Sequence, residues 1–511
     1  VNTWVAPEID WAALAPMIIV FGAGVVGVLV EAFVSRPARV LVQQLLSGLA
    51  LAVALGAVVG LAGEQSLTVG GAVSIDGPTL FIQGCVLVFA LMSLAMYADA
   101  KVDSAGDPFT PGPAEMPGSP AERLLTVRRV RQTEAYPLTL FAVSGMLLFP
   151  AANDLLTLFV ALEVLSLPLY LLSGIARRRR LLSQEAALKY FLLGAYASAF
   201  LLFGSALVYG YAGSATFADI DAAISARVGA DALVLAGVGL IAVGLLFKVA
   251  AVPFHFWTPD VYQGAPTPVT AFMAAGTKIA AFGALLRLFY VAFGGLRADY
   301  TPMLWAVAIA TMVLGSVLAL SQTDIKRMLA YSAIAHAGFA LVGMVGLSDE
   351  GLASVLFYLF VYGVSTIGAF AVVSLLRGPA GEATSLGSWA GLGRRSPLVA
   401  ATMAVLLLSF AGIPLTAGFV AKLSVFTAAF DAGAAVLVVI AVLASAIAAS
   451  FYVRVIVLMF FSDPPEEAPE IVVPSVLTTL TIVVSVGFTV ALGVFPEPFL
   501  DLAEQAAEFV R

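Results

Sequence analysis

An all-α polytopic membrane protein is the class this sequence predicts, with fourteen transmembrane helices, two inverted five-helix repeats, and discontinuous helices seven and twelve. Three observations carry the prediction. Of 511 residues, 61% are hydrophobic and only 11% charged, and the mean hydropathy is +1.03; a soluble surface needs far more charge. The apolar residues gather in runs of about 20, the length that crosses roughly 30 Å of hydrocarbon. Two of these runs, five apart in order, are interrupted by proline and carry a lysine close to the interruption.

Taken in order, the spans are expected at 16–34, 40–63 and 79–98, then at 137–152, 155–176, 184–212, 233–257 and 268–293. Five more are expected at 303–322, 325–347, 352–376, 398–430 and 434–461, and the last at 471–494. The division that follows is 1–98 for three N-terminal helices, 99–136 for a polar cytoplasmic loop insert, 137–293 and 294–461 for the two repeats, and 462–511 for the last helix and a tail. The insert, with GDPFTPGPAEMPGSPAER at its centre, has no periodicity and reads as a flexible loop with a short basic helix near Arg128 and Arg131. The tail, FLDLAEQAAEFVR, is amphipathic and reads as lying at an interface. The first residues, VNTWVAPEIDW, carry acids where a secretory leader carries base, so the first apolar run reads as a retained span.

Basic residues sort by parity. Loops after odd-numbered spans hold Arg36 and Arg39, then Lys101, Arg123, Arg128, Arg129 and Arg131, then the run Arg177 to Arg180, then Lys326 with Arg327 and Arg394 with Arg395. Loops after even-numbered spans hold little beyond Arg227 and Arg297. The positive-inside tendency then places the odd loops in the cytoplasm of a bacterial cell and both termini on the outer side. A missed helix would scramble the sorting, so the asymmetry also supports the count.

Composition excludes several functions. The net charge of −7 comes mostly from loop and tail acids, and no basic nucleic-acid footprint exists. One cysteine, Cys85, excludes an intramolecular disulfide and an iron–sulfur cluster held by this chain's cysteines alone. With only His255 and His336 to supply imidazole, no haem or structural zinc is expected, and no G-x-x-x-x-G-K-[ST] is present.

The unusual content lies within the spans. Span seven carries Lys248 and then Pro253; span twelve carries Gly412, Pro414, Gly418 and then Lys422. Five is odd, so the two cross in opposite senses, the pattern of inverted repeats whose broken helices meet ions near the midplane. An ordinary proline kink is the plainer reading of each. A lysine at the bilayer centre costs roughly 2.5 to 3.5 kcal/mol on insertion scales, so Lys248 and Lys278 need a partner or a purpose. Glu163, in LFVALEVLSLPLYLL, is the obvious opposite charge for Lys248. That pair is either a static structural bridge or a switch: closed, each charge stabilises the other; opened in a dry surrounding, both charged forms are disfavoured and a proton is pushed along. Lys278 and Lys422 lie too deep for easy snorkelling. Lys189, five residues into span six, either snorkels or bridges Glu163 and Lys248. His336 and His255 are relay candidates, because neutral imidazole both donates and accepts, or satisfied core residues. Ser332, Thr270, Thr277 and Tyr331 could order water between these groups, while Arg287 and Arg454 read as interfacial anchors.

The segments LEVLSLPLYLL, EAALKYFLLGAYASAFLLFGSALVYG, FKVAAVPFHFWTPDVYQGAPTPVTAFMAAGTKIA, DIKRMLAYSAIAHAGF and GIPLTAGFVAKLSVF closely resemble the antiporter-like subunits of proton-pumping NADH:quinone oxidoreductase, respiratory complex I. Lysine at 278, where L and M types tend to have histidine, and the wording TPDVYQGAPTPV point to the N type. The resemblance implies a mid-membrane proton path with Glu163 and Lys248 as a pair, Lys278 as the central link, Lys422 as the terminal lysine, and Lys189, His255 and His336 as accessory groups. It further implies that NADH, FMN, iron–sulfur clusters and quinone sit on partner subunits, and that the partners are the other membrane and peripheral subunits of that complex. The rivals are a D-type subunit of a multi-subunit sodium/proton antiporter and a membrane scaffold with no proton path of its own. The insert over 99–136 is longer than the family leads one to expect.

Overall fold

The computed structural model describes residues 8–102, 106–127, 130–226, 231–378 and 381–510, without the Thr126 side chain. In hydrocarbon a backbone must satisfy its own hydrogen bonds, and helices do so within one segment. Eleven helices among the described residues are long and apolar enough to cross a membrane. They are Ala15–Phe33, Arg36–Gly60, Gly77–Tyr97, Leu155–Ser173, Arg180–Ala212, Ala232–Val249, Thr267–Ala292, Gly294–Leu320, Asp349–Leu375, Ala435–Phe461 and Val476–Val494. Two of the expected spans appear as shorter apolar helices, Ala135–Leu148 and Pro397–Ala411, and another as Ile325–Met344, which opens on Lys326 and Arg327.

Two helices, Thr267–Ala292 and Asp349–Leu375, are enclosed by the others except at Tyr290 and at Asp349 and Glu350 near their ends. Asp349–Leu375 packs against Ile325–Met344, Ala417–Asp431, Val476–Val494 and the start of its enclosed neighbour. The outer helices keep apolar side chains exposed, Leu45, Leu49, Phe203 and Val439 among them, as a lipid-facing surface requires.

Two pairs of local structures match. Asp154 caps Leu155–Ser173 through its Oδ1, 2.8 Å from the N–H groups of Leu156 and Thr157; Asp324 caps Ile325–Met344 in the same way, at 2.9 and 3.1 Å. Both caps are pinned from behind. Leu155 N–H donates to Ala215 at 3.0 Å and Phe217 N–H to Asn153 at 3.1 Å, as Ile325 N–H donates to Thr384 at 2.7 Å and Leu386 N–H to Thr323 at 2.8 Å.

The second pair are the helix breaks. Ala232–Val249 stops at Ala250, which is left-handed (φ 64°), and the chain resumes at Trp257–Gly264. Pro397–Ala411 stops at Gly412, also left-handed (φ 80°), and resumes at Ala417–Asp431. Ala250 N–H donates to Phe247 and Ala251 N–H to Leu246; Gly412 N–H donates to Ser409 and Ile413 N–H to Leu408. This is one C-terminal motif used twice.

Two readings need correction. Arg287 is no interfacial anchor: it is fully buried, its Nη2 donating to both Asp76 oxygens at 2.6 and 2.7 Å and its Nε to Pro150 at 2.6 Å. The tail packs beside it: Val510 N–H donates to Asp76 at 3.1 Å, the Phe509 ring covers the guanidinium at 4.8 Å, and Phe499 stacks on Phe360. Arg454 donates to the carbonyls of Leu320 and Gln322. The insert is tethered rather than loose: Arg177 donates to Asp107 at 2.6 Å, and Arg180 to Glu122 at 2.8 Å on a short helix, Pro120–Val127. Burial works against the Glu122 charge, but Arg180, the Gly118 N–H and the nearby Arg123 together outweigh it and hold that carboxyl below its ordinary range. Arg128, Arg129 and Arg227 lie outside the described residues.

Candidate functional site

Glu163 projects from Leu155–Ser173, and its Oε1 is buried without a hydrogen-bond partner. The ammonium of Lys248, one residue before the end of Ala232–Val249, is also buried and unpartnered. The expected ion pair is therefore open. Lys248 Nζ sits instead among aromatic faces, 5.3 Å from the Tyr170 ring centre, 5.1 Å from Tyr190 and 5.9 Å from Phe247, so cation–π attraction replaces the missing carboxylate. The hydroxyls of Tyr170 and Tyr190 lack partners as well. Four unsatisfied polar groups, the Lys248 ammonium among them, are costly in a dry interior, and such clusters mark function in membrane proteins. Trp257, first residue after the break, stacks on Tyr190 at 4.6 Å and donates its indole N–H to the Phe247 carbonyl at 2.9 Å, closing the cage from the other side of the break.

Lys189 does not bridge this pair. It reaches Asp260 at 2.6 Å and Glu185 at 2.7 Å, and Asp260 also receives Arg327 at 2.6 Å, so Lys189 belongs to a charged cluster at the helix ends. His255 lies within the break, buried, beside the Phe256 ring at 4.5 Å, with Nδ1 unpartnered.

Lys278 follows a π-helical turn, Met273–Thr277, in the enclosed helix Thr267–Ala292. Such turns recur at functional sites, because the shifted register redirects a side chain. Its ammonium donates to the Ala333 carbonyl of Ile325–Met344 and lies 5.5 Å from the Tyr362 ring centre. The Tyr362 ring in turn lies 4.8 Å from the imidazole of His336.

His336 is wired on both nitrogens. Nδ1 is 2.6 Å from the Tyr358 hydroxyl and Nε2 is 3.2 Å from the Tyr452 hydroxyl, which also bonds Ser332. A neutral imidazole donates from one nitrogen and accepts at the other, so a proton can pass through the ring by exchange of its two partners' roles. Beside His336 and Tyr362 lies a cavity of about 10 Å³ walled by Ser365, Ser409 and Gly418; that is close to the room one water needs. Phe410 packs 5.6 Å from the imidazole, and its carbonyl accepts from Lys422 at 2.8 Å. Lys422 also donates to Ala411 at 3.0 Å and Ser445 at 2.8 Å, and lies over Phe339 at 4.9 Å.

Thus Lys278, His336 and Lys422 cluster around the rings of Tyr362 and Phe410 without a direct hydrogen bond from either lysine to the imidazole, Glu163 and Lys248 lie in a second region, and Lys189 and His255 stand apart. Sequence reasoning missed Tyr170, Tyr190, Tyr358, Tyr362 and Tyr452. The available signal was a phenol inside an apolar run, whose hydroxyl must find a partner when buried. Thr270 and Thr277 bond backbone carbonyls, whereas Ser332 does join the group. Among the described residues no three His, Cys, Asp or Glu side chains gather as a metal site.

The family model described as NADH:quinone oxidoreductase/Mrp antiporter, transmembrane, matches residues 152–448. Relatives named NADH-quinone oxidoreductase subunit N share 58% identity (Rhodococcus opacus, 99% of this chain and 97% of the relative) and 57% (Salinispora arenicola, 99% of each). A chain of respiratory complex I from Thermus thermophilus with bound aureothin superposes with a TM-score of 0.77 at 34% identity, over 96% of this chain and 99% of that one. A chain of the Mrp complex from Dietzia sp. superposes at 0.81 with 23% identity, over 97% and 96%, which is a likeness of fold. The chain belongs to the NADH:quinone oxidoreductase/Mrp antiporter transmembrane family, and within it to the line of the subunit N proteins.

Proposed function

We propose that this chain is the proton-translocating, non-redox subunit N of a bacterial NADH:quinone oxidoreductase, moving protons along its buried Glu, Lys and His residues while quinone is reduced elsewhere in the complex. One observation carries the reading: the buried ammonium groups of Lys278 and Lys422 flank His336, each separated from its imidazole by one aromatic residue, Tyr362 and Phe410, and both imidazole nitrogens meet tyrosine hydroxyls. Transfer is electrostatic. A unit charge moved through the membrane potential takes about 2.3 kcal/mol per 100 mV, and repulsion between neighbouring ammonium groups in a medium of low dielectric can supply energy of that order. Lys248, caged but unpaired, is the group most responsive to a change at Glu163.

The matched caps at Asp154 and Asp324 and the matched breaks at Ala250 and Gly412 support fourteen crossings in two inverted five-helix repeats, 137–293 and 294–461, with 1–98 and 462–511 flanking them and 99–136 inserted. The clustering of Arg and Lys after odd spans supports a cytoplasmic-membrane orientation with both termini outside. NADH, FMN, the iron–sulfur clusters and quinone belong, in this reading, to partner subunits. Glu163→Gln and Lys248→Met test it against a scaffold role. Assembly with coupled pumping and turnover reduced supports the path; assembly with pumping intact contradicts it.

A further inference from the structure

Where the insert meets the first turn of Arg180–Ala212, a cleft of about 740 Å³ opens, lined by five arginines, Arg123 and Arg177 to Arg180, and one carboxylate, Glu122. Two of these arginines are more than nine-tenths buried and hold the insert in place. Their unpaired donors, Nη1 of Arg177 and Nε of Arg180, lie enclosed behind the cleft wall. The arginines exposed at the cleft are Arg123, Arg178 and Arg179. The rim is apolar: Leu181 is 72% exposed, Leu182 41% and Val127 80%.

We propose that this cleft binds the phosphate headgroup of an anionic phospholipid. Three features select that ligand. Guanidinium groups match phosphate oxygens in a planar, bidentate fashion. The helix of 33 residues is about 50 Å long and outruns the hydrocarbon core, so its first turn stands at headgroup level. The exposed leucines beside the arginines give acyl chains an apolar wall, and basic clusters next to a span attract anionic lipid. Bound there, the lipid joins the insert to the helix start, so the Arg177 to Arg180 run is a built site as well as an orienting signal. The proposal needs only the membrane setting and is independent of the proton path.

The test uses the whole complex containing this chain, reconstituted in phosphatidylcholine vesicles with a trace of photoactivatable phosphatidylglycerol, and maps the labelled peptides. Label is expected on 117–127 and 178–182, competed by unlabelled phosphatidylglycerol but not by phosphatidylcholine or inorganic phosphate. Arg123→Gln, which leaves the Arg177 and Arg180 tethers alone, should lower labelling about tenfold, as loss of one charge-assisted hydrogen bond implies, with NADH oxidation unchanged. Leu181→Gln should lower it less. The proposal is overturned if label spreads evenly over the spans regardless of Arg123→Gln, if inorganic phosphate alone displaces it, or if an acidic segment of a partner subunit crosslinks to the cleft instead.

Discussion

The two helix breaks are built alike and used differently. Both end on a left-handed residue with the same pair of backbone bonds, yet at the second break the carbonyls of the last two helical residues are taken by an ammonium, and at the first the Phe247 carbonyl, which already accepts from Ala250 N–H, takes an indole. Lys422 donates to Phe410 and Ala411, while Phe247 accepts from Trp257. Lysine is therefore a structural member of the second break as well as a charge carrier. At the first break Lys248 is released from that task and left among aromatic rings with no bonded partner. An unbonded ammonium responds most to a neighbouring charge, and a bonded one holds its place most firmly; the two breaks have one of each.

Five substitutions can break the contrast, in order of expected effect. Lys422→Met leaves two buried carbonyls and Ser445 without their donor, at about 1–3 kcal/mol for each unsatisfied group, and should lower the thermal stability of the assembled complex clearly. Gly412→Ala puts a Cβ 2.9 Å from Lys422 Cδ at φ 80°, and the left-handed penalty of about 1–2 kcal/mol adds to that contact. Ala250→Gly should act oppositely, relieving about 1 kcal/mol, so the pair of melting curves should move apart. Trp257→Phe removes one hydrogen bond and should cost about 1 kcal/mol, read as a lower melting temperature of the assembled complex. Lys248→Met removes no bond and should leave melting unchanged or slightly raised, while pumping falls. Equal destabilisation by Lys248→Met and Lys422→Met would end the distinction.

Much of this was legible in the sequence. Runs of about 20 apolar residues located the spans, and Pro253, Gly412 and Pro414 located the breaks, because lipid leaves the backbone few options. Boundaries slipped where polar backbone pairing intervened. The last span starts at Val476 rather than 471, since Ile471 pairs with Leu376 in a short strand and Val472 N–H donates to Leu375. The depth of Glu163, Lys248, Lys278 and Lys422 marked them as candidates. Their partners were not legible, because these are backbone carbonyls and tyrosines brought from distant helices: Lys278 meets Ala333, and His336 meets Tyr452, 116 residues away. Arg287 was misplaced for the same reason, its partner Asp76 lying 211 residues earlier.

Lys278 stands where the two regions meet, enclosed and held by one carbonyl, so its replacement asks whether the buried file carries protons. The complex with Lys278→Met, reconstituted in vesicles, should assemble with NADH oxidation by an artificial electron acceptor intact, while proton uptake driven by NADH and quinone falls by about tenfold or more. Proton uptake per NADH equal to that of the unaltered complex would contradict the account.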